Sequence, residues 1–225
     1  MPQITSKQAR SERAFFALFL LLLGYLVLYP YASNAGLPFL AFRVFGIVLM
    51  ALSVYAVSFR RAYVWIGLLL AVPALAERIL LHSGRIGALS ATSIVFGLAF
   101  DLFVIVVLFK RVFMTEEPRR ELIFGALCIY LLVGFGFSSV YGMLVTVQPH
   151  SFYLEPAVNA HAVPDRLDLI YYSFATLTCL GASGMTPAST QVRSLSVIEG
   201  LVGVLYLAVL ISRLLNSYQG KESRS

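Results

Sequence analysis

Apolar runs of about 20 residues recur along this chain at 14–30, 37–59, 62–82, 87–113, 119–147 and 190–216, separated by short polar breaks. Such a run is what an α-helix needs to cross the hydrocarbon of a bilayer. In lipid, every backbone polar group must be satisfied within the fold, which leaves helices as the solution for runs of this kind. The 225 residues are 59% hydrophobic and 12% charged, about half the charge of a soluble domain, which excludes a water-soluble enzyme. The fold class is therefore an all-α integral membrane protein with six transmembrane helices and one further apolar piece, 168–180, too short to span.

The basic residues orient these spans. Lys7, Arg10 and Arg13 precede the first run, and Arg60 and Arg61 join the second to the third. Lys110, Arg111, Arg119 and Arg120 join the fourth to the fifth, while Arg213, Lys221 and Arg224 follow the last. Twelve of the 17 basic residues thus lie on one side, against Arg85, Arg166 and Arg193 in the opposite loops. The positive-inside rule places both tails, 1–13 and 217–225, in the cytoplasm of a multiply crossed cell membrane. The net charge of +6 is then a matter of topology and calls for no nucleic acid. The first run exceeds the roughly 7–15 residues of a signal-peptide core and is read as a span. Cys128 and Cys179 are not expected to pair. The chain has no P-loop, nucleophile elbow, paired acid–base spacing or metal-ligand cluster, so no catalysis, cofactor or metal is expected.

Residues 168–187 read DLIYYSFATLTCLGASGMTP, a short apolar segment followed by Gly-, Ala- and Ser-rich chain. Its length makes it a re-entrant candidate, and non-helical backbone at membrane depth is tolerated only where protein buries it or a water-filled cavity solvates it. Tyr171-Tyr172-Ser173-Phe174-Ala175-Thr176-Leu177-Thr178 resembles the pore helix of tetrameric potassium channels, and Thr186-Pro187 resembles the close of their filter. Beyond it, Arg193–Gly200 and Leu205–Leu214 are similar to the inner helix of the bacterial members.

This resemblance covers 119–216 and implies a pore domain with an outer helix (119–147), a pore helix (about 168–178), a filter (179–184) and an inner helix (about 190–216). A four-helix bundle, 14–113, precedes it. The resemblance further implies a homotetramer in a bacterial inner membrane. In that family, four copies of a Thr-Val-Gly-Tyr-Gly strand offer carbonyls that replace the hydration shell of potassium.

Here, after Thr178, those positions are Cys179, Leu180, Gly181, Ala182 and Ser183, followed by Gly184 where the family usually has an acid. A thiol at Cys179 is a weak partner for a hard alkali cation. Ala182 lacks the aromatic that braces the family's strand. Ser183 stands where the family uses a glycine of positive φ, at a cost of roughly 1–2 kcal/mol per chain, so the outer strand is expected to adopt another conformation. Either Gly184 takes the left-handed position one residue later, or the filter is shorter and wider and discriminates poorly among monovalent cations.

The resemblance places a gating hinge at Gly203, which turns Val204, Leu207, Ile211 and Leu215 toward the axis as an apolar cavity and constriction that closes by dewetting. The alternative for Gly200 and Gly203 is close helix packing. Ten residues follow Leu215, so no fused ligand-binding module is expected. The fourth helix lacks the spaced arginines a voltage sensor needs. Arg43 and Glu77 lie at similar depth in neighbouring helices and are expected to pair, as a structural or a functional ion pair. Asp101 is either an ion site or a helix-packing hydrogen-bond partner. Glu199 resembles an acid of the bacterial family and faces either the back of the pore helix or the ion path. Glu155, Asp165 and Asp168 are candidate pore-mouth acids that concentrate cations, with Asp165 or Asp168 alternatively capping the pore helix. His82, His150 and His161 fall in outer loops, where pH sensing competes with no role.

Taken together, these readings give a passive channel whose partners are its own copies, membrane lipid and monovalent cations, with potassium a main ion and sodium less well excluded. The alternatives are a non-conducting regulatory or structural subunit and a secondary transporter, for which the paired broken helices are missing.

Overall fold

The computed structural model describes residues 6–28, 46–55, 61–80, 88–114, 119–159 and 162–222. Within them lie helices α1 (Ser6–Leu28), α2 (Gly46–Tyr55), α3 (Arg61–Leu80), α4 (Ala88–Met114), α5 (Arg119–Val147), α6 (Arg166–Leu177) and α7 (Thr190–Glu222). Two three-residue strands, β1 (Phe152–Leu154) and β2 (Met185–Pro187), pair antiparallel with Tyr153 opposite Thr186.

Two helices, over Ile123–Val147 and Thr190–Leu215, are long and apolar enough to cross a membrane. Among the described residues, Ala14–Leu28, Gly46–Tyr55 and Tyr63–Pro73 are shorter apolar stretches. Where six full spans are expected from the sequence, two are present at full length by this measure among the described residues. The expected ends also move. Helix α1 begins at Ser6 rather than 14, because the Lys, Gln, Ala, Arg and Glu residues before the apolar run are themselves helix formers. Helix α7 runs to Glu222 rather than 216. Much of what reads as polar tail is helical.

The chain divides into two compact units, Met1–Val133 and Gly134–Ser225. In the first, Phe15, Leu18, Leu22 and Tyr25 of α1 are buried, as are Phe100, Val104, Leu108 and Val112 of α4. Both sets recur at the three- and four-residue spacing of a single helix face. The Arg111 guanidinium lies 5.4 Å from the centroid of the Phe15 ring, and the buried Cys128 thiol donates to the Phe15 carbonyl at 3.5 Å. A Cβ on Gly125 would lie 2.5 Å from a methyl of Val112, so α5 passes α4 at a distance only glycine allows. Asp101 is half-buried on α4. Arg43, His82 and His161 fall outside the described residues, as does the side chain of Glu77, so the expected Arg43–Glu77 pair lies outside them too.

Candidate functional site

The site belongs to the second unit and is built around α6. Asp165 caps this helix: its Oδ1 accepts from the Asp168 N–H at 2.9 Å, and Asp168 Oδ2 accepts from the Asp165 N–H at 2.9 Å. This reciprocal pair satisfies two otherwise free amides and sets negative charge at the positive end of the helix. Of the three candidate mouth acids, two are thus committed to the cap, whereas one capping residue is expected from the sequence. Glu155 is exposed.

Helix α6 buries Leu169, Ile170, Tyr172, Ser173, Ala175 and Leu177. Tyr141, Phe152 and Tyr172 form a triangle of edge-to-face rings with centroids 4.9–5.7 Å apart, a preferred aromatic geometry. They sit in a core with Leu154, Leu169, Met185 and Val192. A Cβ on Gly134 would come within 2.7–3.0 Å of the Phe174 ring, so the glycine admits that ring against α5. On the other side, a Cβ on Gly203 would collide with the carbonyl oxygen of Leu177, while at Gly200 the Thr176 oxygen is 3.8 Å away. At Gly203, α7 crosses the end of α6 with its backbone against the last turn, while Gly200 makes only ordinary contact.

Glu199 is fully buried. Its Oε2 accepts the Tyr141 hydroxyl at 2.6 Å, and its Oε1 lies 2.5 Å from Ser173 Oγ, itself 2.7 Å from the Gly134 carbonyl. The carboxyl therefore faces the back of α6 and ties α5, α6 and α7 at one point. A second link runs from the Tyr172 hydroxyl to Ser196 Oγ at 2.6 Å and on to the Val192 carbonyl at 2.8 Å.

The chain leaves α6 through a Schellman turn. Thr178 is the C-cap, the Cys179 N–H donates to the Thr176 carbonyl at 3.0 Å, and the Leu180 N–H donates to the Ala175 carbonyl at 2.8 Å. This motif wants a left-handed residue next to the cap, and Cys179 takes that position with φ +58. The backbone cost expected at Ser183 is thus found at Cys179, the sole non-glycine residue of positive φ among those described. Gly181 (φ +81) and Gly184 (φ +75) supply the other left-handed positions among the described residues. The Thr178 hydroxyl turns back to the Phe174 carbonyl at 2.7 Å. Leu180 is exposed, and Ala182 packs against the aromatic core.

Past Gly184 the chain is fixed by β2 on β1, by the Ser151 carbonyl accepting from the Ala188 and Ser189 N–H groups at 2.9 and 3.0 Å, and by Arg193 Nε donating to the Pro187 carbonyl at 3.0 Å. Val204, Leu207, Ile211 and Leu215 are exposed in the single chain.

Sequence reasoning misses the β1–β2 ribbon, the Tyr141–Ser173 grip on Glu199, and two groups on the outer strand. The Ser183 N–H donates to the Tyr171 hydroxyl oxygen at 3.1 Å, and Asn159 Nδ2 donates to the Gly184 carbonyl at 2.8 Å. Strands of three residues carry no readable alternation, and Asn159 has no local signature.

No curated protein and no solved structure matches the chain. Over residues 122–219, which include most of α5 and all of α6, the strand that follows it and nearly all of α7, the chain is similar to a family of membrane proteins through a match to the family model described as "Ion channel".

Proposed function

We propose that the protein conducts monovalent cations passively across the cell membrane as a homotetramer, with the segment 178–184 of each copy lining one central path. The observation that carries this reading is a capped twelve-residue helix between two helices long enough to span, followed by non-helical backbone through Gly184. Backbone of that kind within a membrane needs a protein-lined, hydrated path. The match to the ion-channel family model supports it.

In this reading Cys179, Leu180, Gly181, Ala182 and Ser183 form the selective constriction. Val204, Leu207, Ile211 and Leu215 line an apolar inner cavity, and α7 bends at Gly203. Glu155 raises the cation concentration at the mouth. The lost aromatic at 182 and the thiol at 179 weaken the preference for potassium over sodium. The first four helices complete six spans surrounded by lipid, with both termini cytoplasmic.

Planar-bilayer recording of the purified protein in a KCl gradient, then with sodium replacing potassium on one side, tests this. A cation current with weak discrimination supports the proposal. A strictly potassium-selective current removes the weakened filter and keeps the channel. An anion current, or none under any condition, overturns conduction and leaves a non-conducting subunit.

A further inference from the structure

The non-helical segment 178–184 that follows α6 has, of its own side chains, only Ala182 packed against the core to hold its outer half. Position 182 carries no ring to wedge, position 183 has a side chain rather than a free glycine, and position 184 has no carboxylate. The outer half is nevertheless held at two successive residues by groups outside the strand. The Ser183 N–H donates to the Tyr171 hydroxyl oxygen at 3.1 Å. One residue on, the Gly184 carbonyl accepts twice, from the Glu155 N–H at 2.9 Å and from Asn159 Nδ2 at 2.8 Å.

The Asn159 side chain is itself fixed. Its amide nitrogen also lies 3.1 Å from the Glu155 carbonyl, so both its N–H donors are engaged. The Glu155 carbonyl in turn accepts from the Val158 and Asn159 backbone N–H groups at 3.0 Å. A Cβ on Gly184 would lie 3.2–3.3 Å from Val158 and Asn159. Glycine at 184 is therefore demanded by φ +75 and by the approach of this loop. A carbonyl oxygen has two lone pairs, and both of Gly184's are directed at donors in the loop.

We infer that Asn159 and Tyr171 are positioning residues that clasp the outer end of the strand, hold the Ser183 and Gly184 peptides in register, and so set how the constriction ranks monovalent cations. This rests on the channel reading above. The carbonyl positions of such a strand govern which ion replaces its water shell at least cost, and here those positions depend on one phenol and one amide supplied from outside.

The test uses the full chain, reconstituted as wild type, Asn159→Asp, Tyr171→Phe and, as control, Tyr153→Phe, whose exposed ring on β1 makes none of these bonds. Asn159→Asp and Tyr171→Phe each remove one hydrogen-bonding group with little change in volume at positions that are not buried, so folding is retained. Bi-ionic reversal potentials give the permeability ratios among potassium, sodium and caesium, and hydrogen exchange of the peptide spanning 180–187 reports the clasp without any current. Both variants are expected to change the permeability ranking and to speed exchange by roughly tenfold, the factor one net hydrogen bond is worth, with the control unchanged. Unaltered exchange overturns the clasp. Faster exchange with unaltered ratios reduces it to loop anchoring and overturns its role in selectivity. A conducting wild type that ranks none of the three ions also overturns the inference while the channel reading stands. A wild type that passes no current overturns the channel reading itself, and the selectivity role with it.

Discussion

Glu199 Oε2 accepts the hydroxyl proton of Tyr141 at 2.6 Å although the two residues are 58 apart in sequence, and this bond joins the two spanning helices on the far side of α6. With Ser173 on its other oxygen, Glu199 is where three helices meet. Glu199→Ala leaves two buried hydroxyls facing a cavity and is expected to cost about 1–3 kcal/mol. Glu199→Gln keeps an acceptor for Tyr141 and supplies a donor for Ser173, and should stay within about 1 kcal/mol of wild type. Thermal unfolding in detergent, followed by loss of the native elution peak, separates the two.

Gly200 and Gly203 of α7 make opposite predictions. At Gly203 an added methyl meets the backbone oxygen of Leu177, so Gly203→Ala must push α7 away from α6, an overpacking cost of about 1–3 kcal/mol. At Gly200 the nearest oxygen is 3.8 Å away, ordinary van der Waals contact. Gly200→Ala should be neutral or stabilising by up to about 1 kcal/mol, the helix-propensity gain. If both variants melt together, the packing against Leu177 is not what the glycine is for.

Cys179 carries the left-handed turn after α6. A β-branched residue is a true outlier there, so Cys179→Val should lose about 1–2 kcal/mol relative to Cys179→Gly in the same melts. The thiols also differ in access, since Cys128 is buried and Cys179 exposed. A charged methanethiosulfonate should label the folded protein once, at Cys179, as read by intact mass. In recordings, block by the same reagent or by a soft metal ion should vanish in Cys179→Ala, and block that survives would remove Cys179 from the path.

Removing the cap of α6 should loosen the helix that carries the strand. Asp165→Ala is expected to cost about 0.5–2 kcal/mol. Glu155, by contrast, is exposed, and in the channel reading its carboxylate acts at a distance. Glu155→Gln should therefore leave the melting point unchanged and lower single-channel conductance at low salt. That deficit should close by about 0.15 M, where the screening length falls to about 8 Å. A deficit independent of salt would assign Glu155 a direct contact instead.

Local patterns made part of this protein legible from its sequence alone. Run length led to six expected spans, of which the described residues show two long and apolar enough to cross a membrane. A carboxylate just before an apolar segment marked the cap of α6, and steric exclusion of a side chain from positive φ at Ser183 left Gly184 as one of two readings, beside a shorter and wider strand. Each of these rests on residues within a few positions of one another, where backbone geometry and burial period dictate the outcome.

Tertiary structure decided the rest. The face Glu199 presents, the landing of Gly203 on Leu177, the pairing of β1 with β2 and the hold of Asn159 on Gly184, 25 residues away, all join groups from separate elements. Single hydrogen bonds and single close approaches leave no periodic trace in a sequence. They exist only once packing has brought α5, α6 and α7 together and each buried polar group must find its partner.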